Sequence, residues 1–187
     1  MSFSRILIHA DEVAQANRLA LLLSRYGHDP VLASSSDPRR LPSGLNGAML
    51  DCRRLTAEWR VLSLALANQG LPVVLFAEPL PEAIQEQLLD GGVTLVPHRL
   101  TEKEPVEAWI KQARGQQAML QRQRQAVAEM SQKLEERKLI DRAKALLMKQ
   151  HGLDEDAAFK ALRSAAMQHS LSLGELARRL LLQAIPQ

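Results

Sequence analysis

The sequence predicts an α/β domain with a five-stranded parallel sheet, then a long helix, then a compact three-helix unit. Three observations predict it. Short apolar runs alternate with helix-period segments through the first half of the chain. From Glu102 to about His151 almost every residue is a helix former. Two short amphipathic segments follow, each opened by a capping residue.

The elements follow in order. "RILIHA" (Arg5–Ala10) is a run of buried-strand type, and "EVAQANRLALLLSRYG" (Glu12–Gly27) has helical apolar spacing and a Gly stop. "DPVLAS" reads as the second strand and "LNGAMLD" (Leu45–Asp51) as the third, with no clear helix in the "SSSDPRRLPSG" between them. "TAEWRVLSLALANQG" (Thr56–Gly70) is a helix, and "LPVVLFA" (Leu71–Ala77) is a strand opened by Pro. "PEAIQEQLLDGG" is a helix with Pro near its start and Gly past its end, before a short fifth strand, "VTLVP" (Val93–Pro97). Strands alternating with helices imply a parallel sheet covered on both faces.

The long helix begins with a capping box, Thr101–Glu104. Straight, it would run about 75 Å. Ala113, Leu120, Val127 and Leu134 recur every seven residues, a coiled-coil seam. The companion positions, Trp109, Gln116, Gln123 and Met130, are half polar. The seam predicts a homodimer with wet layers, set against a lone solvated helix. Gly152 ends the helix, Asp154 caps the next, and Ser172–Glu175 forms a second capping box. Leu139, Ile140, Ala143 and Leu147 are expected to meet Ala158, Leu162 and Ala165, then Leu173, Leu176, Ala177, Leu180 and Leu181. The domains expected are 1–115, 116–134 and 135–187.

Charge divides along the chain. Residues 1–102 hold nine Arg, no Lys and eleven acids, a balance of −2; residues 103–187 hold fifteen Lys and Arg against ten acids, a balance of +5. The basic half suits a polyanion partner. One cysteine, Cys52, allows no internal disulfide and suits a reducing compartment. The N-terminus carries no signal-peptide pattern, and the apolar runs are too short to span a bilayer. A cytoplasmic protein is expected. Its five histidines show no metal-ligand spacing, and no Gly-rich phosphate loop occurs. No catalytic activity and no cofactor are expected.

The first half resembles a response-regulator receiver, a flavodoxin-like fold. "RILIHADE" resembles the family's first strand and acidic turn, "GAMLDC" its third strand, and "LPVVLFA" its fourth. The resemblance places Asp51 at the phosphoacceptor position. It implies a second acid where Ala10 stands, beside Asp11, a hydroxyl where Ala77 stands, and a lysine where Pro97 and His98 stand. Asp11 and Asp51 alone make a weak Mg²⁺ candidate, because that ion prefers several oxygen ligands. The domain is therefore expected to be a pseudo-receiver, with Asp51 a vestigial acceptor.

"ERKLIDRAKALLMKQHGLDEDAAFKALRSAAMQHSLSLGELARRLL" resembles an ANTAR domain, the RNA-binding module of the AmiR–NasT family of transcription antiterminators. Arg137, Ile140, Ala143, Lys144, Leu147, Met148, Ala157, Phe159, Leu162, Arg163, Met167, Leu173 and Ala177 carry the match, and Ala145 departs from a common Gly. Cations bind RNA phosphates, while splayed bases are read by planar and polar side chains. Arg137 and Lys144 share a helix face by spacing, Arg142 and Lys149 form a second such pair, and Arg163 lies between Phe159 and Met167.

The resemblance implies a regulator that binds paired hairpins in nascent leader mRNA and prevents termination. It also implies control through the degraded receiver, often by a partner that senses a small molecule. The alternative is a DNA-binding response regulator phosphorylated at Asp51. "SLGELARRLL" could open a helix-turn-helix, but only Leu182–Gln187 remain for a recognition helix.

Overall fold

The computed structural model describes residues 4–33, 35, 37–98 and 105–183. The capping box expected at Thr101–Glu104 lies outside the described residues. Two compact units divide the chain, residues 1–123 and 124–187.

The first unit contains strands β1 (Arg5–Ala10), β2 (Asp29–Leu32), β3 (Gly47–Cys52), β4 (Val73–Ala77) and β5 (Val93–Pro97), with helices α1 (Val13–Arg25), α2 (Ala57–Asn68) and α3 (Glu82–Asp90). All pairings are parallel and the order is β2-β1-β3-β4-β5. Between β2 and β3 there is only a short 3₁₀ turn, Pro38–Arg40, where the sequence showed no clear helix.

Strand alternation sorts the core onto two faces. Ile6, Ile8, Met49, Val74 and Phe76 pack with Leu19, Leu22 and Leu23 of α1 on one face. Leu7, Ala48, Leu50, Val73 and Leu75 pack with Trp59, Leu62 and Leu66 of α2 and Leu88 of α3 on the other.

Helix α4 (Val106–His151) supplies residues to both units. Its first turns complete the sheet's first face, burying Val106, Ile110 and Ala113. Trp109 sits edge-on to Phe76 with ring centroids 5.2 Å apart. Gln116 accepts from Thr94 Oγ1 and donates to the Leu89 carbonyl, and buried Gln117 donates to the Ala67 carbonyl. Gly92, with φ +90°, makes room here: a Cβ would lie 2.7 Å from Gln117 Oε1 and 2.8 Å from Leu120 Cδ1.

These contacts correct the expected dimer seam. Ala113 is fully buried in the first unit's core and cannot face a second copy. Trp109 and Gln116 are likewise committed to the sheet, and Leu120 is half-buried. A seven-residue repeat registers one side of a helix, not what covers it. Val127, Met130 and Leu134 remain largely exposed.

In the second unit, α5 (Glu155–Gln168) and α6 (Leu173–Gln183) fold with the last turns of α4. Ala143, Leu162, Ala166, Leu176 and Ala177 are buried, with Leu139, Ile140, Leu147, Ala165, Leu171, Leu173, Leu180 and Leu181 packed around them. Asp154 accepts from the Ala157 N–H at 2.7 Å, the N-cap bond expected there. Ser172 Oγ accepts from the Glu175 N–H, and Glu175 Oε2 accepts from the Ser172 N–H, which closes the capping box. Gly174 is buried because a Cβ there would lie 2.5 Å from Glu136 Cγ of α4.

Candidate functional site

Two sets of residues carry chemistry, one in each unit. In the first unit the sheet register gathers the receiver positions at the carboxyl ends of the strands. Ala10 of β1 lies beside Asp51 of β3, Asp51 beside Phe76, and Ala77 of β4 beside Pro97 of β5. The Asp11 N–H donates to the Asp51 carbonyl, and the His98 N–H donates to the Ala77 carbonyl. This is the crevice where open α/β sheets bind ligands.

Asp51 is only 1% exposed. His98 Nδ1 lies 2.5 Å from Asp51 Oδ1, so a histidine reaches the acid from the place after β5. The sequence motif did not position His98; the strand ends do. Asp51 Oδ2 is buried without a partner. Burial pushes the Asp51 carboxyl above its ordinary range, His98 opposes that through charge and hydrogen bond, and Asp11 and Glu12 reinforce it.

Asp11 Oδ2 accepts from the Arg53 N–H at 2.9 Å, and the Arg53 guanidinium donates to Glu12 Oε1 at 3.0 Å. No sequence motif marks Arg53. Its place two residues after Asp51 was the only signal, and a lone arginine after a strand is commonplace. Ala10 and Ala77 offer no ligand or hydroxyl. Among the described residues, no three of His, Cys, Asp and Glu are grouped to hold a metal. Cys52 is buried, and burial, with Asp11 and Asp51 nearby, pushes its thiol up to about 12.

In the second unit the expected cations separate into two kinds. Arg137, Arg142, Lys149 and Arg163 are exposed and form no salt bridge among the described residues. Lys144 differs. Its ammonium lies 2.9 Å from Asp141 Oδ1 and 2.7 Å from Glu155 Oε1, and its side chain is 16% exposed. Hydrogen bonds to Glu155 and Asp141 hold it in the protonated form. Lys144 therefore ties α4 to the start of α5, which revises its reading as a free phosphate-binding cation. The Asp141 contact was visible as an i,i+3 spacing; the one with Glu155 needed the turn at Gly152, where φ is +65°.

On α5, Phe159 is 39% exposed and Met167 74% exposed, and exposed Arg163 stands between them. The three lie on one helix face at i, i+4 and i+8. A half-exposed ring beside an unpaired guanidinium offers a stacking plane and a phosphate partner together.

A parallel sheet of this order with an acid at the end of β3 is a receiver-like, flavodoxin-like fold, and the chain also carries a three-helix unit. Residues 128–181 match the ANTAR domain family, and the C-terminal unit is an ANTAR domain. The resemblance to the AmiR–NasT regulators thus stands. Over 55 residues the chain is 46% identical to the nitrate regulatory protein of Klebsiella oxytoca, covering 29% of this chain and 14% of that protein. Over 51 residues it is 45% identical to the transcriptional regulatory protein PdtaR of Mycobacterium tuberculosis, covering 27% of this chain and 25% of that one. The chain thus spans a quarter or less of the curated relatives it matches. The solved structure of the response regulator StyR shares the fold, with a TM-score of 0.53 and 15% identity over 97% of this chain and 100% of that one. No helix among the described residues is long and apolar enough to cross a membrane.

Proposed function

We propose that this protein is a regulatory RNA-binding protein whose ANTAR domain grips hairpins in nascent leader transcripts and prevents termination. The observation that carries this reading is the α5 face of Phe159, Arg163 and Met167, exposed on a domain matched to the ANTAR family. Arg137, Arg142 and Lys149 supply phosphate-binding charge, and Arg163 with Phe159 meets unpaired loop bases. Lys144 keeps α5 in position rather than contacting RNA.

The acting species is a homodimer that presents two ANTAR domains to paired hairpins. Support comes from α4, where residues 121–135 are exposed throughout. A helix without tertiary cover is marginal in water. Val127, Met130 and Leu134 form an apolar stripe suited to a second copy. Tethering two weak sites raises avidity by roughly 10²–10⁴ without new contacts. The receiver-like unit serves as the control input, through a signal or a small-molecule-sensing partner.

The test is titration of the full chain with tandem leader hairpins, single hairpins and DNA duplexes over a range of salt. Tandem hairpins are expected to bind tightest. Arg163→Ala is expected to weaken hairpin binding and to relax the preference for loop sequence, and Arg142→Ala to weaken binding uniformly and to reduce the salt slope by about 1. Val127→Glu/Leu134→Glu is expected to yield a monomer by sedimentation and to erase the preference for tandem over single hairpins. Equal affinity for hairpins and duplex DNA would refute the RNA reading. A dimer unaffected by the Glu pair would refute the seam.

A further inference from the structure

The receiver fold implies a Mg²⁺ ion at the acidic crevice, and the residues around Asp51 do not fit one. Three carboxylates gather there: Asp11, Glu12 and Asp51, the first two close enough to raise the Asp51 carboxyl through their charge. One oxygen of each is already engaged. Asp51 Oδ1 meets His98 Nδ1, Asp11 Oδ2 takes the Arg53 N–H, and Glu12 Oε1 takes the Arg53 guanidinium. Asp51 Oδ2 is the buried oxygen of the three that has no partner. Among the described residues no three acids, histidines or cysteines are placed to hold an ion together, and an ion here would have to share each of these carboxylates with His98 or Arg53. A methyl group, Ala10, stands beside Asp51 in the register where a further acid would help. An imidazole and a guanidinium of the chain itself already stand against the acids.

We propose that His98 and Arg53 are resident partners of the carboxylates in this crevice, occupying the places a divalent ion would take and closing it to Mg²⁺ and to phosphoryl transfer. The geometry assigns each a separate task. His98 sits on Asp51 Oδ1 from the end of β5, and Asp51 as a whole is only 1% exposed to a phosphoryl donor. Arg53 spans the acidic turn after β1 with its backbone and its side chain. A dication entering this crevice would meet an arginine charge that cannot be shed and a histidine ring in the path to Asp51. The acids of the unit are then occupied by its own residues, and its input must arrive by another route, such as a bound partner. This inference concerns the first unit alone and stands apart from the RNA reading.

The test uses Mn²⁺ as a paramagnetic probe, titrated into the full chain and followed by water-proton relaxation. Wild type is compared with Arg53→Gln/His98→Ala, each shown to be folded by a cooperative melt. Wild type is expected to show no saturable binding at millimolar Mn²⁺, and the double variant to bind at least tenfold more tightly. Incubation with acetyl phosphate and intact-mass analysis is expected to leave wild type without a phosphoryl adduct. Saturable Mn²⁺ binding by wild type, an adduct on Asp51, or equal Mn²⁺ affinity in the folded double variant would each overturn the proposal. The single variants His98→Ala and Arg53→Gln keep it testable where the double variant does not fold: each is expected to bind Mn²⁺ more tightly than wild type, and no gain in either would overturn it.

Discussion

Leu162→Ala is expected to unfold the ANTAR domain selectively. Leu162 is the largest side chain among the fully buried positions of the second unit, with Ala143, Ala166, Leu176 and Ala177 around it. The substitution removes three carbons, worth ~0.8 kcal/mol each when buried, or about 2.4 kcal/mol. A cavity term adds to that, because alanine neighbours have little to move into the gap, so the loss should reach about 3 kcal/mol. A core this small supplies only ~3–5 kcal/mol in total. The variant should therefore lose most of the domain's stability while the sheet keeps its own. Urea denaturation followed by circular dichroism should show two transitions, with the helical one moved to much lower urea and the other unmoved. Met167→Ala, on the same helix but exposed, is the control and should stay within ~0.5 kcal/mol of wild type. A loss below about 1 kcal/mol for Leu162→Ala would show that this leucine does not organise the three helices.

Two further predictions concern the sheet. Burial raises the Asp51 carboxyl above its ordinary value of 3.8, so the folded unit holds that proton more tightly than the unfolded chain. The associated stability is full below that value and is lost as pH rises through the raised one. Asp51→Asn should then raise the melting temperature of the first unit at neutral pH; a lowered one would mean that the pair with His98 outweighs the cost of burial. Cys52, with its thiol pushed up to about 12, should resist maleimide in the native protein at pH 8. Its thiolate should be scarcer than that of a free cysteine by roughly a thousandfold, with reaction appearing only as the sheet unfolds. Native labelling at the rate of the unfolded chain would refute this.

Much of the architecture was legible because its signals are local. The five strands are legible as short apolar runs, most of them bounded by Gly or Pro, and each face of the sheet follows from residue parity. The caps at Asp154 and Ser172 need only neighbouring residues, and both formed as expected. The helical core was legible as well: Leu139, Ile140, Ala143, Leu147, Leu162 and Leu176 share faces by spacing, and these faces meet.

Tertiary structure decided the rest, for one physical reason. A residue's type and period state what it can do, while its neighbours across the fold state whether it is free to do it. Ala113 fits a heptad as well as Val127 does, yet one lies in the core beneath the sheet and the other lies exposed. Lys144 and Arg163 are both cations in the ANTAR resemblance, yet two carboxylates hold the first and, among the described residues, no salt bridge holds the second. His98 and Asp51 stand 47 positions apart, and only parallel strand ends with a shared register bring the ring to the acid. By itself the sequence determined which elements form and which domains they resemble; the fold decided which charges are spent within the protein and which remain for a partner.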